Sequence, residues 1–265
     1  MVLDSARRVN QAWLLSGSVQ DASDNLETKW TRDRNKVSHA VTKARTLAES
    51  IKRTILIGDI HGCFQELQDL LKVLKVRPED RLICVGDLIS KGPQSREVLL
   101  WAKDSPNVEC ILGNHEARFL AHFRGESKLE KPNDALVRRQ LGSEYDELMQ
   151  FISTWPLWIE DPNFLVIHAG LDPRVDALAW QKPEDLLNLR NLKDLNRPWF
   201  ELYDKKKLII FGHWAQRGLV QRKNAIGLDS GCVYGGSLSA FVLPEKKIVS
   251  VPAHQVYVEK KKNEA

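Results

Sequence analysis

The stretch ILIGDIHGCF, from Ile55 to Phe64, places a carboxylate, Asp59, and an imidazole, His61, two residues apart directly behind an apolar run. The same punctuation recurs. ICVGDLISKG supplies Asp87, Ser90 and Lys91, and CILGNHEARF supplies Asn114, His115 and Glu116. LVIHAG ends on His168 and IIFGHWA on His213. One Gly-Asp or Gly-Asn behind a strand reads as a turn, and one histidine reads as a satisfied interior residue. Here four of the seven histidines stand directly behind apolar runs, joined by two aspartates and an asparagine. Independent turns do not produce such a set. Asp, His and Asn together offer oxygen and nitrogen donors without thiolate, which suits divalent Mn, Fe, Zn or Co, with Mg also admitted. Asp87 carries two oxygens and can bridge two ions. A pair of ions about 3.5–4 Å apart can hold a hydroxide and clamp a phosphoryl group.

The elements that must position these residues are legible as well. TILI, RLICV, VECIL, FLVI and KLIIF are short, nearly continuous apolar runs of the kind buried on both faces of a sheet. Ligands gather at the carboxyl ends of such strands. Gly58, Gly86 and Gly113 are spaced 28 and 27 residues apart, about one βα unit each, and are expected to let the chain turn sharply there. FQELQDLLKVLK predicts a helix with Phe64, Leu67, Leu70, Leu71 and Leu74 on one face. PQSREVLLWAKD predicts a second, opened by Pro93. DALVRRQLGSEYDELMQFIST reads as one longer helical stretch. Beyond Gly212 the texture is that of strands, in NAIGLD, SLSAFVLP and KIVSVP. The chain is therefore expected to be α/β, with a second, partly antiparallel sheet.

Residues 1–53 form a polar, partly helical extension without chemistry, residues 54–258 the catalytic domain, and residues 259–265 a charged tail. With 265 residues and 43% hydrophobic content, the chain can bury one large core. A net charge of +4 is too weak to argue for nucleic acid but suits an anionic substrate. The four cysteines lie far apart with no C-x-x-C pair, and read as buried reduced thiols. No run approaches the ~20 apolar residues of a membrane span. The first residues lack a sustained apolar core, so a cytoplasmic protein without a membrane partner is expected.

Taken as a set, GDIHG, GDLISKG, GNHE, HAG and GHW resemble the signature of the calcineurin-like metallophosphatases of the phosphoprotein-phosphatase superfamily, in the right order across roughly residues 54–252. The resemblance implies a sandwich of two mixed β-sheets flanked by helices. It implies two divalent ions per chain, with manganese foremost. Asp59, His61 and Asp87 would hold one ion, and Asp87, Asn114, His168 and His213 the other. His115 would give a proton to the leaving group. Where the superfamily's protein phosphatases read GDxVDRG, this chain has Ser90 and Lys91. KGPQS, FGHWA and GLDSGCVYGG are similar instead to the ApaH group of symmetrical diadenosine tetraphosphatases and their ApaH-like relatives. That branch implies a hydroxide bridging the metals that attacks a phosphoanhydride of a nucleotide polyphosphate. Lys91, Arg190 and Asn114 would grip the phosphates. The same chemistry on a capped RNA 5′ end is the first alternative. A polyphosphatase or a protein phosphatase comes next, and a non-catalytic phosphate-binding scaffold last. Arg190 resembles the arginine such enzymes carry between the HAG and GH motifs, against the plainer reading of a solvated helix arginine. Trp155 and Trp158 are read as core, His122 and His254 as ordinary histidines, and Asp229 as a structural neighbour of the site.

Overall fold

The computed structural model describes residues 53–129 and 133–259. The expected extension lies outside the described residues except for Arg53, and the tail except for Glu259. Arg53 is tied to the residues that follow it: its guanidinium pairs with the buried Asp80 and bonds to Leu74 O and Lys75 O.

Two five-stranded sheets form the centre. Strands β1 (Thr54–Ile57), β2 (Arg81–Cys84) and β3 (Val108–Cys110) run parallel. β11 (Ser237–Leu243) pairs antiparallel with β1, and β12 (Lys247–Pro252) with β11, giving the order β12-β11-β1-β2-β3. The second sheet contains β4 (Trp158–Glu160), β5 (Phe164–Ile167), β8 (Leu208–Phe211), β9 (Val220–Arg222) and β10 (Ala225–Gly227), in the order β4-β5-β8-β10-β9. β5, β8 and β10 are parallel, and the two edge strands are antiparallel to their neighbours. A small hairpin of β6 (Asn191–Leu192) and β7 (Arg197–Pro198) lies between the sheet segments.

The period of two along each strand explains the unbroken apolar runs. Leu56, Ile83, Val85 and Ile111 pack with Phe164, Val166, Ile210 and Ile226 in one cluster between the sheets. Their alternates Ile55, Ile57, Leu82 and Cys84 face the helices. Leu165, Ile167, Ile209 and Phe211 face a third cluster built around Trp199 and Phe200. Both faces of each central strand are thus covered, as expected of a sandwich flanked by helices.

Those helices are α1 (Phe64–Leu74), α2 (Ser95–Asp104), α3 (Asn114–Phe123), α4 (Asp134–Leu141), α5 (Tyr145–Ile152) and α6 (Pro183–Asn188). Two differ from the sequence reading. The stretch 134–154 is not one helix. It breaks at Gly142, whose φ of 52° leaves the helical region, and resumes after a single 3-10 turn. The helix α3 begins inside GNHE itself, with Gly113 as the residue before its first turn and Glu116 three places on. Trp155 and Trp158 pack into the core clusters, as read from the sequence. His122 is half-buried, with Nδ1 3.0 Å from Ser127 O, and His254 is exposed and bonded to Asp69.

Candidate active site

The loops behind β1, β2, β3, β5 and β8 bring their polar residues to one place. Asp87 stands at its centre, 1% exposed. Its Oδ2 lies 3.6 Å from His61 Nε2 and 3.9 Å from His115 Nε2, while its Oδ1 lies 3.4 Å from His168 Nε2. The rings of His61 and His115 meet edge to face at 4.9 Å, and those of His168 and His213 at 5.1 Å. Two histidine pairs therefore flank one carboxylate. Donor atoms of His61, Asp87 and His115, and separately of Asp87, His168 and His213, lie within 4.8 Å of one another.

The backbone fixes which ring nitrogens face inward. His61 Nδ1 is 3.1 Å from Ile89 O and His168 Nδ1 is 2.9 Å from Val85 O. A carbonyl only accepts, so both Nδ1 atoms carry the hydrogen and both Nε2 atoms present lone pairs. This is the tautomer a metal-ligating histidine needs. At His168 the lone pair meets Asn114 Oδ1 at 3.1 Å and Asp87 Oδ1 at 3.4 Å, and the same Asn114 oxygen lies 3.0 Å from His213 Nδ1. Acceptors converging in this way fit a cation. At His61 the partner is the Lys91 ammonium, 2.8 Å from Nε2, which also stands 5.2 Å above the Tyr234 ring.

Asp59 is placed somewhat apart. Both its oxygens accept the backbone N–H of His213, at 3.2 and 3.0 Å. Burial raises its pKa well above the ordinary carboxylate value, helped by the charges of Asp229 and Asp87. Asp229 is itself buried beside it and accepts the Gly231 N–H, in keeping with a structural role. For Asp87, burial works upward, but His168, His115, His61 and Lys91 hold it below the usual range. Burial pushes His61 and His213 down to about 3, and His115 well below its ordinary value against the pull of Asp87. Five titratable acids and bases held away from their solution behaviour in one cleft mark a functional site.

Burial acts in opposite senses on the rings and the carboxyls of the metal-free protein. Unfolded, each histidine takes a proton as pH falls below about 6.5; folded, His61 and His213 stay neutral down to about 3, so the stability they contribute at neutral pH is lost as pH falls through that window. The raised carboxyls of Asp59, Asp229 and Glu116 work the other way, adding stability as pH falls. The rings themselves are therefore the readout: in chelated protein the imidazole NMR signals of His61 and His213 should not titrate between pH 7 and pH 4. Protonation of either ring in that window would contradict the assigned neutral rings.

The site is strained. His61, Asp87, Ser90, Lys91 and His213 all have positive φ, between 49° and 79°. Such residues cluster where the surroundings over-determine a functional geometry. Sequence reasoning assigned the turning to the glycines, but Gly113 and Gly212 serve by close approach. A Cβ on Gly113 would stand 2.2 Å from Asp87 Oδ1, and one on Gly212 would stand 1.9 Å from Asp59 Oδ1. Gly212→Ala should therefore displace the Asp59 carboxylate, lowering kcat on the order of 100-fold together with the bound divalent metal. Wild-type kcat and metal content in that variant would refute the placement of Asp59.

Glu116 was noticed in the sequence but given no task. Its buried carboxylate accepts the N–H groups of Asp87 at 2.8 Å, Ile89 at 3.0 Å and Gly113 at 3.0 Å. It clamps the Asp87 loop to the start of α3. The spacing of Gly113 and Glu116 is that of a capping box, which was the signal available. Arg190 lies two residues beyond the end of α6, not on a solvated helix face. It is half-buried, its Nε has no hydrogen-bond partner among the described residues, and its charge acts on His213.

Compared with known proteins, residues 52–248 match the family described as Calcineurin-like phosphoesterase. A symmetrical bis(5'-nucleosyl)-tetraphosphatase of Vibrio parahaemolyticus is 30% identical, over 76% of this chain and 98% of that protein. The enzyme of the same name from Methylobacillus flagellatus is 28% identical over 76% and 95% of the two chains. A crystal structure provisionally named a diadenosine tetraphosphatase superposes with a TM-score of 0.68 at 34% identity, covering 77% of this chain and 95% of that one. A protein serine/threonine phosphatase from Saccharomyces cerevisiae, 17% identical with a TM-score of 0.53 over 80% and 82% of the chains, shares the fold.

Proposed function

Because the chain belongs to the calcineurin-like phosphoesterase family, we propose that this metal-dependent hydrolase cleaves a phosphoanhydride bond in a dinucleoside polyphosphate of the diadenosine tetraphosphate kind. One observation carries the reading: the two oxygens of Asp87 face different histidines, His61 at 3.6 Å and His168 at 3.4 Å. A carboxylate so placed would be able to serve two cations at once. Asp59, His61 and Asp87 would hold one divalent ion, manganese foremost, and Asp87, Asn114, His168 and His213 the other. Such a pair supplies a nucleophile from water at neutral pH and neutralises charge on the phosphoryl oxygens.

The chain's own residues do the rest. Lys91 and Arg190 bring fixed positive charge to the substrate's phosphate oxygens, and Asn114 orients the cluster from the first turn of α3. For Lys91 to reach a phosphate, its ammonium leaves His61 Nε2, where it now rests. His115 moves a proton from Nε2 to the departing oxygen. Ser90 stands where a carboxylate would otherwise help keep that ring charged, and burial already drives the ring toward neutrality. A ring that is seldom protonated suffices when the leaving group is a nucleotide phosphate, already a stable anion. The names borne by the relatives support the same substrate class.

The reading is tested by stripping divalent metal with a chelator and adding back manganese while following diadenosine tetraphosphate hydrolysis. Activity should vanish and return; undiminished activity in the chelated protein would end the proposal. Lys91→Ala should lower kcat/KM by about tenfold or more, the worth of a charged hydrogen bond. An unchanged kcat/KM would remove Lys91 from the phosphate site.

A further inference from the structure

Beyond the Asp87 cluster, the described residues hold one further group of metal-capable donors that the hydrolytic reaction does not use. Cys63, Glu66 and Cys232 each present one donor atom within 4.8 Å of the other two. Cys63 and Glu66 form a C-x-x-E step at the start of α1, three residues apart and so on one face of its first turn. Cys232 comes from the loop between β10 and β11, three residues beyond Asp229. All three are shut from solvent, at 0%, 0% and 2% exposure.

The chemistry of Glu66 points to what is missing. Its Oε1 is satisfied twice, by the His254 N–H at 2.8 Å and the Tyr257 hydroxyl at 2.8 Å. Its Oε2 is fully buried with no hydrogen-bond partner among the described residues. A buried carboxylate oxygen left without a donor is costly, and such groups are normally paired or coordinate a metal. The sulfurs of Cys63 and Cys232 stand within 4.8 Å of an oxygen of this carboxylate, and sulfur with carboxylate oxygen is a donor set of the zinc type. The Asp87 cluster, built of nitrogen and oxygen alone, has different preferences.

We propose that Cys63, Glu66 and Cys232 form a separate metal site that takes a thiophilic divalent ion of the zinc class. Binding releases the two thiol protons and leaves two thiolates and a carboxylate on the ion. The site is structural: it ties the start of α1, two residues past His61, to the loop that carries Asp229, and so braces two active-site loops from behind. Because the donors are closed to solvent, the ion enters as the chain folds.

Cobalt reads this site apart from the other. Protein produced in cells grown with cobalt as the added transition metal should show sulfur-to-cobalt charge-transfer absorption in the near ultraviolet, which a nitrogen and oxygen site cannot give. It should hold one cobalt ion more per chain than the Cys232→Ser variant produced alongside, and that variant should lose the absorption. Cys84→Ser, which alters a buried cysteine outside this group, should keep it. Wild-type protein without a sulfur band, equal cobalt content in wild type and Cys232→Ser, or a band lost only in Cys84→Ser would each overturn the proposal. Should Cys232→Ser fail to fold, Cys63→Ser takes its place, and the wild-type band alone still decides against a pair of unligated thiols.

Discussion

Asp87→Asn is expected to reduce turnover on the order of 1,000-fold or more, comparable to or beyond the loss of an essential charge-stabilising group. The reason is geometric. Asp87 faces His61 and His115 with one oxygen and His168 with the other. Asparagine keeps one oxygen and turns an amide donor toward the opposite histidine, so one of the two cation positions loses its shared ligand. Little else need change. The backbone N–H of Asp87 stays bonded to Glu116, and an amide oxygen can still accept the His115 N–H that Asp87 Oδ1 now takes at 3.0 Å. Metal analysis and thermal melts check this together. Wild-type protein with ion at a hundredfold excess over Kd should gain about 2.7 kcal/mol for each site filled, roughly 5–10 °C per site for a domain of this size. Asp87→Asn should gain distinctly less and bind fewer than two ions. A variant with wild-type turnover, or with two ions bound as tightly as wild type, would remove the bridge.

The second large effect concerns the leaving group. His115→Asn is expected to slow hydrolysis of a phosphoserine peptide by about 10²–10⁴-fold, the usual worth of a general acid, and to slow diadenosine tetraphosphate hydrolysis much less. A serine alkoxide must be protonated as it leaves, whereas a nucleotide diphosphate leaves as a stable anion. The site is consistent with light acid duty. His115 Nδ1 and Ser90 Oγ are each buried without a hydrogen-bond partner among the described residues, and no carboxylate bonds to Nδ1 there. Ser90→Asp supplies one, and a carboxylate neighbour raises a histidine's pKa and fixes its tautomer. It should shift kcat/KM in favour of the ester relative to the anhydride. If the ratio stays put in both variants, the leaving-group argument fails.

Much of this site could be read before the fold was known, for a physical reason. Strands covered on both faces leave continuous apolar runs, and the first polar residue behind each run marks a strand's carboxyl end. Asp59, His61, Asp87, Asn114, His168 and His213 were legible in that way. What could not be read depends on contacts between distant segments. Glu116 serves through backbone groups of a loop 27 to 29 residues earlier. Gly212 matters because Asp59, far back in the chain, packs against it. Cys63 and Cys232 looked like scattered thiols because nothing in their spacing reveals that α1 and the loop behind β10 meet. The break at Gly142 shows a local limit: the apolar pattern continues on both sides, and only the positive φ interrupts the helix.

On this mechanism the cluster hydrolyses phosphoanhydrides rather than phosphoesters. The most direct measurement is kcat/KM of the manganese-loaded protein on diadenosine tetraphosphate, capped RNA, inorganic polyphosphate and a phosphoserine peptide, with products identified. Diadenosine tetraphosphate should give the highest value, split symmetrically into two molecules of ADP. A preference for the phosphoserine peptide, with the dinucleotide left intact, would contradict it.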